Sequence, residues 1–311
     1  MRDPSKPLDA IVAGELYTDL ILSGFDFWPQ PGQEAFAKKF HREVGGGASN
    51  TACGMARLGS AVSVLGVVGD DGDWLVRQLA QKGVATSHII CDPAEPTAFT
   101  VAISMTEERS FLTYPGANRS FPAALTRSAA AKCLAEAAHV HLAFPPDLST
   151  AAKLLTSIRA NGCTVSLDVG WHEHWLRDAR LREILPLLDL FFPNESEAHC
   201  IAGETDPERI LHWFSAAGIR RVALKLGARG AALLWDGEIR FDTPPRVRPV
   251  DTTGAGDSFN AGFLHSWLRG EPPHTCLRTA NICGALSTEA YGGVAGVPDA
   301  GRLQQLLETH S

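Results

Sequence analysis

Short apolar runs alternating with stretches of helical period constrain this chain more than any other feature of its sequence. Asp9–Ala13, Ala61–Val68, Val140–Ala143, Thr164–Asp168, Leu190–Phe192 and Arg221–Lys225 have the length and apolar content of buried strands. Between such runs lie segments like Ala151–Ala160 (AAKLLTSIRA), with helical spacing of their apolar residues. Strands that are apolar throughout need cover on both faces, and helical crossovers supply it over a parallel sheet. The pattern predicts an α/β fold of three layers, α/β/α, around a mainly parallel central sheet. One such domain over residues 1–311 is the expected organisation.

Two stretches break the rhythm. Tyr17–Phe40 is rich in glycine, proline and aromatic residues. Thr97–Met105 and Arg109–Tyr114 are β-rich runs joined by Thr106-Glu107-Glu108, which reads as a hairpin. Together they predict a small β flap, or lid, built from about residues 15–44 and 96–115.

Val250–Phe263 (VDTTGAGDSFNAGF) carries the chemistry. A glycine-rich turn runs directly into an apolar helix that continues to about Leu268. Unpaired backbone N–H groups and the positive end of the helix dipole meet at such a junction, which makes it an anion site. Asp257 falls in the first turn. An acid there often serves only to cap a helix. Beside an anion site, however, a carboxylate can take a hydroxyl proton while the amides hold phosphoryl charge. The dipole is expected to lower its pKa and keep it ionised. A Gly-x4-Gly-Lys-Ser/Thr loop is absent from the sequence, and so is a glycine fingerprint after the first strand, which continues as Gly14-Glu15-Leu16-Tyr17. The chain therefore does not read as a P-loop enzyme or an ordinary Rossmann dehydrogenase.

The balance of 28 basic against 35 acidic residues gives a net charge of −7, which is no footprint for nucleic acid. No apolar run reaches the ~18 residues of a membrane span, and the N-terminal run is too short for a secretory signal. Cysteines 53, 91, 133, 163, 200, 276 and 283 form no Cys-x-x-Cys pair. Reduced, mostly buried thiols in a cytoplasmic protein are expected.

Asp251–Phe263 closely resembles the C-terminal signature of the ribokinase-like (PfkB) carbohydrate kinases. Gly45-Gly46-Gly47-Ala48-Ser49-Asn50-Thr51-Ala52 is similar to their N-terminal signature. Pro193-Asn194-Glu195-Ser196-Glu197-Ala198 resembles the family's Asn-x-x-Glu motif, and Lys225-Leu226-Gly227-Ala228-Arg229-Gly230 its nucleotide-contacting strand end. All four come in the family's order. The resemblance implies a ribokinase-like fold and transfer of the ATP γ-phosphate to a hydroxyl of a small carbohydrate. It implies Asp257 as base, with Gly254, Ala255 and Gly256 as anion hole. Asp19, Gly46, Gly47 and Asn50 would bind the acceptor. Asn194, Lys225, Gly227 and Asn281 would bind ATP. Asn194 and Glu197 would organise Mg²⁺ through water, and Asp251 with Thr253 would hold K⁺ or another monovalent cation. Asn194 and Glu197 also have the spacing of a helix capping box.

The acceptor is less defined. Ribokinases usually have Lys where Gly47 stands and a Glu near Ala143–Phe144. The Asp-Pro-Asn of many fructokinases and ketodeoxygluconate kinases is here Asp168-Val169-Gly170. Phe25, Phe27, Trp28, Phe111, Tyr114 and Phe144 could stack on a sugar or on a nucleobase. A nucleoside kinase is thus the sister reading. A non-catalytic sugar-binding regulator is the reading from another class, and a pyridoxal-type vitamin kinase lacks its Cys-bearing motif here. His139, His141, His172 and His174 lack zinc-site spacing and read as core or pocket hydrogen-bonding groups. Arg109, on the hairpin, reads as a solvated charge or a contact for an acidic acceptor. A homodimer that covers exposed flap strands is expected, as is closure of the flap over bound substrate.

Overall fold

The computed structural model describes residues 5–104 and 109–309, with the side chains of Ser104 and Arg109 also left out. In chain order its strands are β1 (Leu8–Gly14), β2 (Tyr17–Ser23), β3 (Lys39–Gly45), β4 (Val62–Leu65), β5 (Val67–Val68), β6 (Ile90–Cys91) and β7 (Phe99–Ser104). They continue as β8 (Arg109–Tyr114), β9 (Ala137–Ala143), β10 (Thr164–Leu167), β11 (Leu190–Phe191), β12 (Arg221–Lys225), β13 (Ala231–Trp235) and β14 (Glu238–Asp242).

Eight strands form the central sheet in the order β14-β13-β12-β11-β10-β9-β1-β4. The six from β12 to β4 pair in parallel, and β13 and β14 add an antiparallel edge. Alternate residues of each buried strand enter opposite cores. Ile11, Val140, Val165 and Val222 face one layer, packed with Leu155 and Ile158 of the Leu148–Ala160 helix and Phe214 of the Pro207–Ala216 helix. Ala10, Val12, Ala223 and Leu233 face the other, packed with the Gly47–Arg57, Ala255–Leu268 and Pro273–Ser287 helices. This is the three-layer α/β/α arrangement.

The Ala61–Val68 run differs from expectation. Gly66 divides it, so β4 stays in the main sheet while β5 pairs with β6. A Cβ on Gly66 would stand 2.6 Å from Leu16 Cγ and 2.8 Å from the Gly14 carbonyl oxygen, so the break depends on a residue without a side chain.

A second sheet of four strands, ordered β3-β2-β7-β8, contains the expected hairpin of β7 and β8. Its strand β2 follows β1 after only Glu15 and Leu16. At that junction the Asn118 side-chain amide binds Leu16 on both sides: Oδ1 accepts from Leu16 N at 3.1 Å, and Nδ2 donates to Leu16 O at 3.0 Å.

The Ala255–Leu268 helix lies between two others at close range. A Cβ on Gly54 would meet the Ala261 methyl at 2.7 Å, and one on Gly262 would meet Cys283 Sγ at 2.9 Å. Every residue from Ser258 to Leu268 is buried, as the apolar sequence of that helix requires. Among the described residues no helix is long and apolar enough to cross a membrane.

Candidate active site

Parallel strands of one sheet end on the same side, and the functional residues gather where β1, β9, β10 and β12 end. Gly254 begins the Ala255–Leu268 helix in the left-handed region, with φ 70°, and no side chain caps it. A Cβ there would lie 2.5 Å from Gly293 Cα, so glycine alone lets the turn approach the 292–293 loop. The first turn of a helix without a side-chain cap presents amides to an anion, although Ala255 N already donates to Thr252 O at 3.3 Å.

Asp257 stands in that first turn. Its Oδ2 accepts a hydrogen bond from Asn50 Nδ2 at 2.9 Å, which joins the two glycine-rich signatures in space. A Cβ on Gly47 would come within 3.4 Å of Asp257 Oδ1, so the Gly45–Gly47 turn borders the carboxylate. Burial first, and then the charge of Asp168, push the Asp257 pKa up to about 6, against the lowering influence of Asn50 and Lys225. The helix dipole was the expected influence, in the other direction. The enclosure of the group and a second buried carboxylate outweigh it.

Asp19, on β2, reaches the same region. Its carboxylate occupies the space beside Gly45, and burial, then Asp251, Asp257 and Glu43, push its pKa up to about 6. Gly46 has φ 88° and its Cα faces the Glu15 carbonyl and the Tyr17 ring. Asp251 is buried: Oδ1 accepts from Thr253 N at 2.8 Å and Oδ2 from Gly292 N at 3.0 Å, tying the signature loop to the 292–293 loop.

On the other side of the helix N-terminus lies a cavity of about 560 Å³. Lys225, Gly227, Ala255, Gly256 and Asn281 are among its walls, together with the proline-rich 244–249 segment. That volume suits a nucleotide-sized ligand. Asn281 is buried rather than solvated, and its Nδ2 donates to Asp242 O at 3.0 Å and Asp242 Oδ2 at 2.8 Å.

Asn194 and Glu197 form a reciprocal capping box at the start of the Glu195–Ala202 helix. Glu197 N donates to Asn194 Oδ1 at 2.9 Å, and Asn194 N donates to Glu197 Oε2 at 2.9 Å. Asn194 Nδ2 also donates to Glu197 Oε1 at 2.6 Å. Asn194 pairs with Lys225 in an isolated parallel bridge, which sets the box beside the cavity. Both Glu197 oxygens already accept hydrogen bonds, an arrangement that fits action on Mg²⁺ through water better than direct ligation.

Two residues of this region, Asp168 and Asn260, had no role assigned from the sequence. Asp168, one residue beyond β10, accepts hydrogen bonds on Oδ2 from Lys225 Nζ and Asn260 Nδ2, each at 2.5 Å. Burial alone would raise the Asp168 pKa, but the Lys225 ammonium outweighs it and holds the group below the usual carboxylate range. Burial likewise opposes the charge on Lys225, and Asp168 and then Glu197 keep it raised. An Asp at the end of a buried parallel strand was the available signal.

The aromatic residues do not form one box. Phe144 is buried edge-on against Phe121, Tyr114 donates to Glu95 Oε2 at 2.5 Å, and Phe27, Trp28 and Phe111 are exposed. His139 Nε2 and His141 Nδ1 both bond Ser166 Oγ at 2.7 Å inside the sheet, and His172 and His174 are exposed. The Arg109 side chain lies outside the described residues.

The family model described as "pfkB family carbohydrate kinase" matches residues 9–300. The chain is 30% identical over 283 residues to the 2-dehydro-3-deoxygluconokinase of Bacillus subtilis, covering 86% of this chain and 87% of that protein. It is 31% identical over 301 residues to a nucleoside kinase of Methanothermobacter thermautotrophicus, covering 96% and 94%. The solved structure of Arabidopsis thaliana ribokinase complexed with ribose and ATP superposes with a TM-score of 0.85 at 26% identity, covering 97% of this chain and 99% of that one. The chain belongs to the pfkB family of carbohydrate kinases, phosphotransferases whose acceptor group is a hydroxyl.

Proposed function

We propose that this protein transfers the γ-phosphate of ATP to a hydroxyl of a small carbohydrate, with Asp257 as general base. The observation that carries the reading is Asp257 itself. One carboxylate sits at an uncapped helix N-terminus, bonded to Asn50 of the acceptor-side signature and one residue from the Gly256 wall of the cavity. With its pKa pushed up to about 6, it is largely ionised at neutral pH yet basic enough to take a hydroxyl proton.

The residues divide the work by position. Asp19, Asn50 and the backbone of Gly46 and Gly47 bind and orient the acceptor. Gly254, Ala255 and Gly256 offer amides to the transferring phosphoryl group, and Lys225 adds a positive charge. Gly227 and Asn281 line the nucleotide cavity. Asn194 and Glu197 would hold the waters of Mg²⁺, which supplies charge neutralisation on the phosphates. Asp251 and the Thr253 carbonyl are the proposed seat of K⁺. The four-stranded sheet is the lid of a single kinase unit, and its closure excludes water from the phosphoryl group. Phe40 and Leu112, exposed on that sheet, are the surface a second copy would cover; a strictly monomeric mass in solution scattering removes the dimer.

ADP release measured against pentoses, ketohexoses, sugar acids, phosphosugars and nucleosides tests the reading, each beside Asp257→Asn. Acceptor-dependent turnover that falls about 10³-fold or more in the variant supports it. Turnover confined to nucleosides moves the protein to the sister activity, and undiminished turnover in Asp257→Asn removes Asp257 as base.

A further inference from the structure

The Asp168–Lys225–Asn260 cluster joins three separate parts of the fold at the cavity wall. Asp168 extends the β10 ladder by one residue, its N–H donating to Leu142 O at 2.9 Å. Lys225 is the last residue of β12. Asn260 lies in the Ala255–Leu268 helix, three residues after Asp257 and therefore on nearly the same face. The side chains of Lys225 and Asp168 are 13% and 11% exposed, so both charges are largely withdrawn from water. A buried ion pair adds little stability over an apolar pair of the same volume, so the fold alone does not account for this one. Its ammonium lies 3.4 Å from where a Cβ on Gly256 would stand, against the first turn that carries the base.

We propose that Asp168 is a positioning residue for phosphoryl transfer: braced by Asn260, it holds the Lys225 ammonium against the N-terminus of the Ala255–Leu268 helix, where the terminal phosphate of ATP binds. Asn260 makes the brace part of the same helix as Asp257, so cation and base keep a fixed separation. The charged groups facing Lys225 are Asp168, Glu197 and Asp257. Those facing Asp168 are Lys225, Asp257 and Glu197, together with His141, whose pKa of about 4 leaves it neutral. Asp257 faces Asp168 and Lys225, with Asn50 donating to it, and its charge acts in turn on Asp19. Removing the Asp168 charge therefore has two effects. It frees Lys225 to leave its place, and it lifts a repulsion from Asp257.

The inference rests on the kinase reading, and the experiment separates the two. Calorimetry with ATP and with ADP, in the presence of Mg²⁺, is run on the wild type, Asp168→Asn, Lys225→Met and the double variant. The wild type is expected to bind both nucleotides, and each single variant to lose the preference for ATP over ADP by about tenfold, the worth of one charge-assisted contact. The double variant is expected to lose no more than Lys225→Met alone, because the two residues act as one. In turnover, Asp168→Asn lowers kcat about 10²-fold through misplacement and leaves the acceptor KM in place. It also moves the acid limb of the pH profile to lower pH, because at Asp257 the repulsion from Asp168 outweighs the attraction of Lys225, a shift that a merely structural defect would not produce. Asn260→Ala keeps the ion pair without its brace and should show a smaller loss in the same direction, should Asp168→Asn fail to fold. Wild-type protein that binds neither nucleotide overturns the kinase reading and this inference with it. ATP binding by the wild type, with additive losses in the double variant or an unmoved acid limb in Asp168→Asn, overturns the inference alone.

Discussion

Replacing Gly45 with alanine would place a methyl group where the Asp19 carboxylate now sits. The ideal Cβ falls 2.2 Å from Asp19 Oδ1, 2.3 Å from Cγ and 2.4 Å from Oδ2. Gly45 does not have positive φ, so the backbone accepts the change without strain. What yields is a short side chain, and the stability cost is expected to be about 1–3 kcal/mol. The functional cost is separate, because Asp19 is the carboxylate proposed for the acceptor hydroxyls. Hydrogen bonds to a charged group contribute about 1.5–3 kcal/mol, which corresponds to a loss of about 10- to 150-fold in kcat/KM for the acceptor. The KM for ATP should not change, since the nucleotide cavity lies beyond the Ala255–Leu268 helix N-terminus. Steady-state kinetics with each substrate varied in turn, beside urea unfolding of the same variant, measures both quantities. Asp19→Ala should show the same loss, and Gly45→Ala combined with Asp19→Ala no further one. Wild-type acceptor kinetics in Gly45→Ala would falsify the assignment of Asp19 to the acceptor.

Two further outcomes follow from the site. The acid limb of kcat/KM should have an apparent pKa of about 6, since Asp257 and Asp19 are both pushed there and interact; activity is lost as pH falls through that value and the base takes up a proton. A limb near the ordinary carboxylate value of about 4 would contradict the enclosure described. Substituting a large organic cation for K⁺ in the assay buffer should slow turnover if Asp251 and Thr253 hold the ion, and an unchanged rate counts against that site.

Much of the sheet was legible because burial on both faces leaves continuous apolar runs, as in Asp9–Ala13 and Arg221–Lys225. The antiparallel edge was not. Ala231–Trp235 lies just five residues beyond β12 and reverses direction at Gly230, where a Cβ would stand 2.1 Å from the Asp242 carbonyl oxygen. That reversal is a turn property that apolar pattern does not record. At the site, the glycine signatures marked the anion-binding turn and Asp257 because local sequence builds a helix N-terminus. Asp168 escaped because its partners are 57 and 92 residues away and meet it only in space. The direction of the Asp257 shift escaped for the same reason. The dipole is local and visible in sequence, whereas burial and the Asp168 charge come from elements far along the chain.

The double grip of Asn118 on Leu16 has a mechanical consequence. A residue fastened through both its N–H and its C=O cannot turn either flanking peptide without breaking a hydrogen bond. The first connection between the sheets is thus clamped on the body side, and rotation of the smaller sheet has to begin at Tyr17, beyond the clamp. Asp19 is only two residues past that pivot, on a very short lever arm, while Lys39 at the far end of the sheet would swing through a wide arc. The lid proposed above would therefore open broadly at its tip while the Asp19 carboxylate barely leaves its post.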